Sequence, residues 1–148
     1  MSLKSRLNDD VKTALRAGDK PRVSVLRMTL AAIKQREVDE RIELDEAQVL
    51  TVLEKMIKQR RESASQYTAG NRQDLADKEL AEIELLSAYL PTPLTDTELN
   101  ALIAAAIERT GASSMRDMGQ VMAQLREAAA GRADMAVVSQ RVKERLSG

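Results

Sequence analysis

Apolar residues recur every three or four positions along almost the whole chain, which is the spacing of one face of an α-helix. The first such run predicts a helix over about residues 3–17, with a buried face formed by Leu3, Leu7, Val11 and Leu15. Gly18 follows at the position where a left-handed residue commonly ends a helix. Asp19 is placed to cap the next helix, which has Pro21 in its first turn.

The same pattern of apolar faces and caps predicts seven helices in all. Two of the helix starts carry a capping box, in which the cap and the third helical residue satisfy each other's backbone amides. These two pairs are Asp45 with Gln48 and Thr95 with Glu98. Two further starts are predicted at single caps, Asn71 for helix four and Asp134 for helix seven. The fourth helix carries its apolar residues at Leu75, Leu80, Ile83 and Leu86.

The segment "LPTPLTDTEL" marks the clearest boundary in the chain. Pro91 and Pro93 prevent the preceding helix from continuing, and the capping box at Thr95 opens a new one. The sequence therefore predicts an all-α fold with an N-terminal bundle of about four helices over residues 1–90. A linker over 91–94 and a small three-helix domain over 95–148 complete the prediction.

The amino-acid composition excludes several kinds of catalytic and metal site. The chain has no Cys and no His, which excludes thiolate zinc sites, cysteine nucleophiles and histidine general bases. No glycine-rich phosphate loop is present, so we expect no metal, no cofactor and no autonomous catalytic centre. The longest uncharged apolar run, residues 101–107, is too short to cross a bilayer, and the N-terminus lacks an apolar signal core. The simplest expectation is a cytoplasmic protein without a membrane association.

The 23 basic and 23 acidic residues cancel, which argues against a protein that binds nucleic acid by bulk charge. Local cation clusters remain. Helix three carries "EKMIKQRR", which places Lys55, Lys58, Arg60 and Arg61 within two turns, and helix two carries Arg27 and Lys34 one heptad apart. One interpretation is a solvated face on which Glu54 pairs with Lys58 four residues later. Its neighbours would be the acids of helix four, namely Asp77, Glu79, Glu82 and Glu84. The other is a surface that positions phosphates without reading bases.

Four cations in the last two helices form a second group of phosphate candidates, namely Arg126, Arg132, Arg141 and Lys143. Arg132 is predicted to lie at a helix–helix turn beside the backbone amides that start helix seven, a location that suits an anion. The alternative is that Asp134, the predicted cap, already satisfies those amides.

Two glycines in "DMGQVMAQLREAAAGRAD" have different expected roles. Gly131 falls where helix six should stop. Gly119 falls inside the helix, where glycine costs about 1 kcal/mol relative to alanine. It therefore either allows another helix to approach closely or leaves room for a nucleic-acid backbone.

Six stretches together resemble the YqeY family, small bacterial proteins related to the C-terminal region of the GatB subunit of glutamine-dependent tRNA amidotransferase. They are "LRMTLAAIK" at 26–34, "KQRRES" at 58–63, "GNRQDLADKELAEI" at 70–83, "YLPTPLTDTEL" at 89–99, "MGQVM" at 118–122 and "GRAD" at 131–134. The resemblance covers the chain from end to end. It implies two helical domains that meet at the Pro91–Pro93 boundary.

The resemblance also implies a role near tRNA, since the GatB tail contacts the outside of the tRNA fold and related domains are fused to some glutaminyl-tRNA synthetases. We therefore expect a non-catalytic module that binds tRNA by shape and phosphate contacts. Two alternatives are an adaptor that docks on a synthetase or amidotransferase subunit and an accessory in glutamine-dependent carbon–nitrogen ligation. Many relatives place lysines just before the second glycine, whereas this chain has Ala128, Ala129 and Ala130 there. Phosphate contacts made by those lysines are not expected here.

Overall fold

The computed structural model describes residues 2–147, and these residues form seven α-helices and no strand. The helices are α1 Leu3–Ala17, α2 Lys20–Glu40, α3 Glu46–Ala69, α4 Gln73–Ser87, α5 Asp96–Thr110, α6 Met118–Ala129 and α7 Met135–Ser147. A single 3-10 turn, Met115–Asp117, precedes α6. The prediction of an all-α fold is confirmed.

The chain divides into two compact units, residues 1–90 and 91–148. The division falls immediately before Pro91, within the segment where proline prevents helix continuation. Each unit has its own hydrophobic core, so each is described by itself.

The N-terminal unit packs α1–α4 around a core of aliphatic side chains. Its fully buried members include Leu7, Leu26, Ile33, Leu53 and Leu86. Burying each such side chain contributes about 1.5–3 kcal/mol, so a core without Phe or Trp is sufficient for a helical unit of this size. Tyr89 closes the core at the end of α4, where its hydroxyl donates a hydrogen bond to Asp10 of α1.

The C-terminal unit packs α5, α6 and α7 around a second core. Its fully buried side chains are Ile103, Val121, Leu125, Val138 and Val142. The residues that precede α5 belong to this unit, because the Leu94 amide donates to the Arg132 carbonyl at 2.8 Å. That bond fastens the segment after Pro91 to the turn between α6 and α7.

The predicted helix starts are largely confirmed. Both capping boxes form, at Asp45 with Gln48 and at Thr95 with Glu98, and the Asp19 carboxylate accepts from the Arg22 amide. The Asn71 cap is wrong: Asn71 is left-handed, with φ 59°, and Arg72 precedes α4 without a side-chain cap. Gly70, by contrast, has an ordinary φ of −88°. Asn71 therefore takes the conformation in which a chain commonly leaves a helix.

Two apolar residues predicted to face inward lie at the surface. Leu15 is 50% exposed, and Ala14 is buried in its place. At 100° per residue Ala14 lies about 20° from Leu3 around α1, whereas Leu15 lies about 120° away. Leu80 of α4 is likewise 50% exposed.

A buried carboxylate joins three segments of the N-terminal unit. Glu37 of α2 accepts from Lys4 Nζ of α1 at 2.8 and 3.0 Å, and from the Leu44 amide at 2.9 Å. The hydrogen bond from Lys4, followed by that from Leu44, holds the pKa of Glu37 below its usual value of about 4.5. Both bonds need the ionised carboxylate, so they fix the end of α2 against α1 and against the residues that lead into α3.

We expect Glu37→Gln to remove part of the acid sensitivity of the fold. Because the folded pKa is lowered, the stabilisation is complete above about pH 4.5 and is lost as the pH falls through the folded value. Thermal unfolding between pH 7 and pH 3 measures this: the melting temperature of the wild type should fall more steeply below pH 4.5 than that of the variant. Glu43→Gln, at an exposed neighbouring carboxylate, is the matched control and should keep the wild-type slope.

We expect alanine at the two glycines of the C-terminal unit to have opposite effects. Gly131 has φ +73°, which L-residues adopt at a cost of about 1–2 kcal/mol, so Gly131→Ala should lower the free energy of unfolding by that amount. Gly119 is helical, and a Cβ built there would meet nothing within 4 Å. Gly119→Ala should therefore raise the free energy of unfolding by about 0.5–1 kcal/mol. Urea unfolding checks both, and destabilisation by Gly119→Ala would contradict the open environment.

Candidate functional site

Lys58 and Arg61 lie on the exposed surface of α3 and make no hydrogen bond or ion pair with another described residue. Arg60 between them points inward and is only 7% exposed. Its Nε donates to Glu82 Oε2 of α4 at 3.1 Å, and its Nη1 donates to the Met56 carbonyl at 3.2 Å. Of the cluster on α3, Arg60 thus pairs with one of the neighbouring helix-four acids, whereas Lys58 and Arg61 point to solvent. Within residues 2–147, the predicted ion pair between Lys58 and Glu54 is not observed.

Arg27 and Lys34 are both exposed on α2, and neither side chain forms a hydrogen bond or ion pair with another described residue. Beyond the hydrogen bond from Lys4, the charge of Lys34 nevertheless contributes to the lowered pKa of Glu37. The two cations line two different grooves along α1. Arg27 lies beside Leu15 in the first groove, and Lys34 lies beside Lys4 in the second. The heptad spacing places them on one side of the helix, as the sequence predicts, but no contact joins them to Lys58 or Arg61.

The four candidate cations of the C-terminal unit divide into two kinds. Arg126 and Lys143 are exposed and unpaired among the described residues. Arg141 instead donates to Asp96 at 2.7 Å and to Asn100 Oδ1 at 3.3 Å, which ties α7 to the start of α5. Arg132 Nε donates to the Thr92 carbonyl at 2.9 Å, and its Nη2 lies 4.0 Å from Glu98. Arg141 and Arg132 therefore have structural partners as well as partial exposure.

Asp134 occupies the start of α7, where its Oδ1 accepts from the Ala136 amide at 2.9 Å. The predicted cap is confirmed. It satisfies one of the backbone amides at the start of α7 that were considered for an anion beside Arg132. Gly131 is buried and left-handed, which is the helix stop that the sequence predicts.

The surroundings of Gly119 test whether another helix packs closely against it. Gly119 lies in the first turn of α6, is exposed, and a Cβ built there would meet nothing within 4 Å. The expectation that it lets another helix approach closely is therefore wrong. The nearby Asp117 carboxylate accepts hydrogen bonds from the Ser113 and Ser114 amides, and these bonds lower the pKa of Asp117. Its side chain makes no capping hydrogen bond to the start of α6, the turn that contains Gly119.

Sequence reasoning missed a polar cluster around Tyr89. Burial raises the pKa of Tyr89, and the hydrogen bond to Asp10 adds to the effect. The Arg6 guanidinium stacks over the ring with its carbon 5.1 Å from the ring centre. The cluster links the end of α4 to α1 across 79 positions of sequence, so no local pattern could have revealed it.

Neither a metal centre nor a membrane span is found in residues 2–147. No three Asp or Glu side chains converge there as metal ligands would. None of the described helices is long and apolar enough to cross a membrane.

A family model described as "Yqey-like protein" matches residues 4–146. The chain belongs to the YqeY family. The resemblance seen in the sequence motifs is thereby confirmed, and the family match extends across both units.

Curated relatives of this YqeY chain include fungal proteins named "Altered inheritance of mitochondria protein 41, mitochondrial". The protein of Vanderwaltozyma polyspora is 33% identical over 76% of this chain and 64% of its own length. The protein of Pyrenophora tritici-repentis is 28% identical over 94% and 78%, and that of Kluyveromyces lactis is 37% identical over 56% and 45%. The chain thus spans less than two thirds of the first and last of these relatives. Their names place those proteins in mitochondria, so a cytoplasmic location for this chain stays a prediction.

We expect Arg60 and Lys58 to differ sharply when each is replaced by alanine. Arg60→Ala leaves the Glu82 carboxylate without its buried partner, and breaking such a pair costs about 3–5 kcal/mol. Lys58→Ala removes an exposed, unpaired cation and should change the free energy of unfolding by less than about 0.5 kcal/mol. Chemical unfolding measures both, and equal effects would show that Arg60 has no special structural role.

Proposed function

We propose that this YqeY protein is a non-catalytic module that binds tRNA through phosphate contacts and shape. The observation that carries the proposal is that Arg126, Lys143, Lys58 and Arg61 are exposed and unpaired among the described residues. Phosphate contacts position a protein on nucleic acid without reading its sequence, and lysine and arginine supply them.

The open surface at Gly119 supports the same proposal. Because nothing in the described chain approaches within 4 Å of a Cβ at this position, the first turn of α6 is accessible to a ligand backbone. The chain has only two aromatic residues, and Tyr89 is buried, so stacking on unpaired bases contributes little. Recognition then depends on the surface of a folded RNA.

Arg132 and Arg141 have a supporting role in this proposal. Each is anchored to α5 or to the residues preceding it. Arg132 therefore fixes the turn that follows α6, the helix of Arg126, and Arg141 fixes α7, the helix of Lys143. Phosphate contacts made by Arg132 and Arg141 would add to those of Arg126 and Lys143. Arg27 and Lys34 stand among exposed apolar side chains, which phosphates do not require, and this favours a different partner for their surface.

Loss of two unpaired cations should weaken tRNA binding in a salt-dependent manner. Each removed phosphate contact lowers the slope of log affinity against log salt by about 1, so the double variant Arg126→Ala, Lys143→Ala should reduce the slope by about 2. Fluorescence anisotropy with purified tRNA at several salt concentrations measures the slope. The control is Lys12→Ala, Arg109→Ala, which removes the same charge at other exposed positions.

Gly119→Leu provides a second measurement on the same surface. Its side chain projects into open space and should leave the fold intact while weakening tRNA binding. The proposal fails if wild-type protein does not bind tRNA at low salt. It also fails if the control variant lowers affinity as much as the Arg126, Lys143 variant does.

A further inference from the structure

Three exposed cations of α2 and the residue that ends the helix form a row of positive charge, with Arg41 in the left-handed conformation after the last helical turn. Lys20, Arg27, Lys34 and Arg41 are each seven residues apart, and all four are exposed. At 1.5 Å and 100° per helical residue, neighbouring members of this cation row on α2 are about 10 Å apart along the axis and about 20° apart around it. None of the four side chains forms an ion pair or hydrogen bond with another described residue.

The residues one turn after the first three cations are uncharged, and the first two of them, Ser24 and Ala31, are small. Ser24, Ala31 and Val38 occupy the intermediate positions of the same face, and all three are exposed. Small side chains at this spacing allow another helix to lie close against α2, with its own long side chains reaching the cations.

Two grooves between α1 and α2 accompany the row. The first contains Lys20 and Arg27 together with Leu15 and Met28, each of which is 50% exposed. The second contains Lys34 and Arg41 together with Val38 and Ile42, which are 59% and 41% exposed. Among the described residues of the N-terminal unit, these four are all but one of the exposed large hydrophobic side chains. Each groove therefore places two exposed apolar side chains beside two members of the cation row.

Acidic side chains are scarce on this face. The first groove contains none. The second contains Glu37, whose carboxylate is occupied by Lys4 and the Leu44 amide, and the exposed Glu43 at the end of the face. The surface is therefore apolar at both ends and positive along its length.

We propose that the α1–α2 face binds an acidic amphipathic helix of a partner protein. Carboxylates spaced one heptad apart on that helix would match the cation row, and its apolar side chains would enter the two grooves. RNA would meet the cations but would leave Leu15, Met28, Val38 and Ile42 without an apolar counterpart. On α4, a second copy offers Asp77 and Glu84 one heptad apart with one exposed leucine, Leu80, between them, which matches half of the row.

The test uses the full chain, labelled with nitrogen-15, and a synthetic helical peptide about four heptads long. The peptide carries Glu at one position of every heptad and Leu at the adjacent apolar positions. We expect saturable shifts of α1 and α2 amides with a dissociation constant in the micromolar range, weakened by salt. Peptides with Lys in place of Glu, or Ser in place of Leu, should bind at least about tenfold more weakly.

Reversal of the row supplies the matched protein variants. Lys20→Glu, Arg27→Glu, Lys34→Glu and Arg41→Glu together should weaken peptide binding at least about tenfold and should restore binding of the Lys peptide. Reversal of Lys12, Lys55, Lys78 and Arg109 makes the same change of charge at other exposed positions and should leave peptide binding unchanged. The restored binding of the Lys peptide also shows that the reversed protein is folded.

Three results would overturn the proposal. The first is the absence of amide shifts, or shifts confined to other helices. The second is a row variant that loses tRNA affinity while peptide affinity is unchanged, which would assign the face to RNA. The third is self-association of the purified chain that the row variant abolishes, which would assign it to a second copy. The first and third results are read without tRNA, so they distinguish a failure of this proposal from a failure of tRNA binding through Arg126 and Lys143.

Discussion

The ionised carboxylate of Glu37 is the constraint on which the N-terminal unit depends. It is the buried acid at which α1, the end of α2 and the approach to α3 meet, through Lys4 and the Leu44 amide. A buried carboxylate must be paired and hydrogen-bonded to be tolerated, so this site fixes how far α1 extends along α2. With α1 held there, the cation row of α2 remains uncovered and is flanked by the two grooves.

Local chemistry explains most of what could be predicted from the sequence. The capping boxes at Asp45 and Thr95 involve residues three positions apart, so their geometry follows from any helix that starts there. The assignment of Leu15 to the core failed because a strict four-residue spacing drifts away from a helix of 3.6 residues per turn. Ala14 is closer to the direction of Leu3 and is buried. The prediction that Asn71 caps α4 failed because Asn71 adopts the left-handed conformation after α3.

The candidate sites were harder to predict, because the neighbouring helix decides which cation is free. Arg60 and Arg61 are adjacent in sequence, yet only Arg60 faces Glu82 of α4. Arg141 and Lys143 differ in the same way, since only Arg141 reaches Asp96 of α5. A single sequence shows the charges but not these long-range partners. The heptad spacing of the whole cation row was visible in the sequence, although only its two central members, Arg27 and Lys34, were recognised as candidates.

The zero net charge of the chain does not describe its surfaces, because acidic and basic side chains have different roles in the fold. Carboxylates are used inside each unit: Asp19, Asp45, Glu98 and Asp134 accept from amides at helix starts, and Glu37 and Glu82 pair with Lys4 and Arg60. Lysine and arginine have no acceptor and cannot satisfy those amides. Many cations therefore remain at the surface after the acids have been engaged. A chain with equal numbers of each sign can then present positive faces to an anionic partner, and the balance of 23 against 23 does not argue against one.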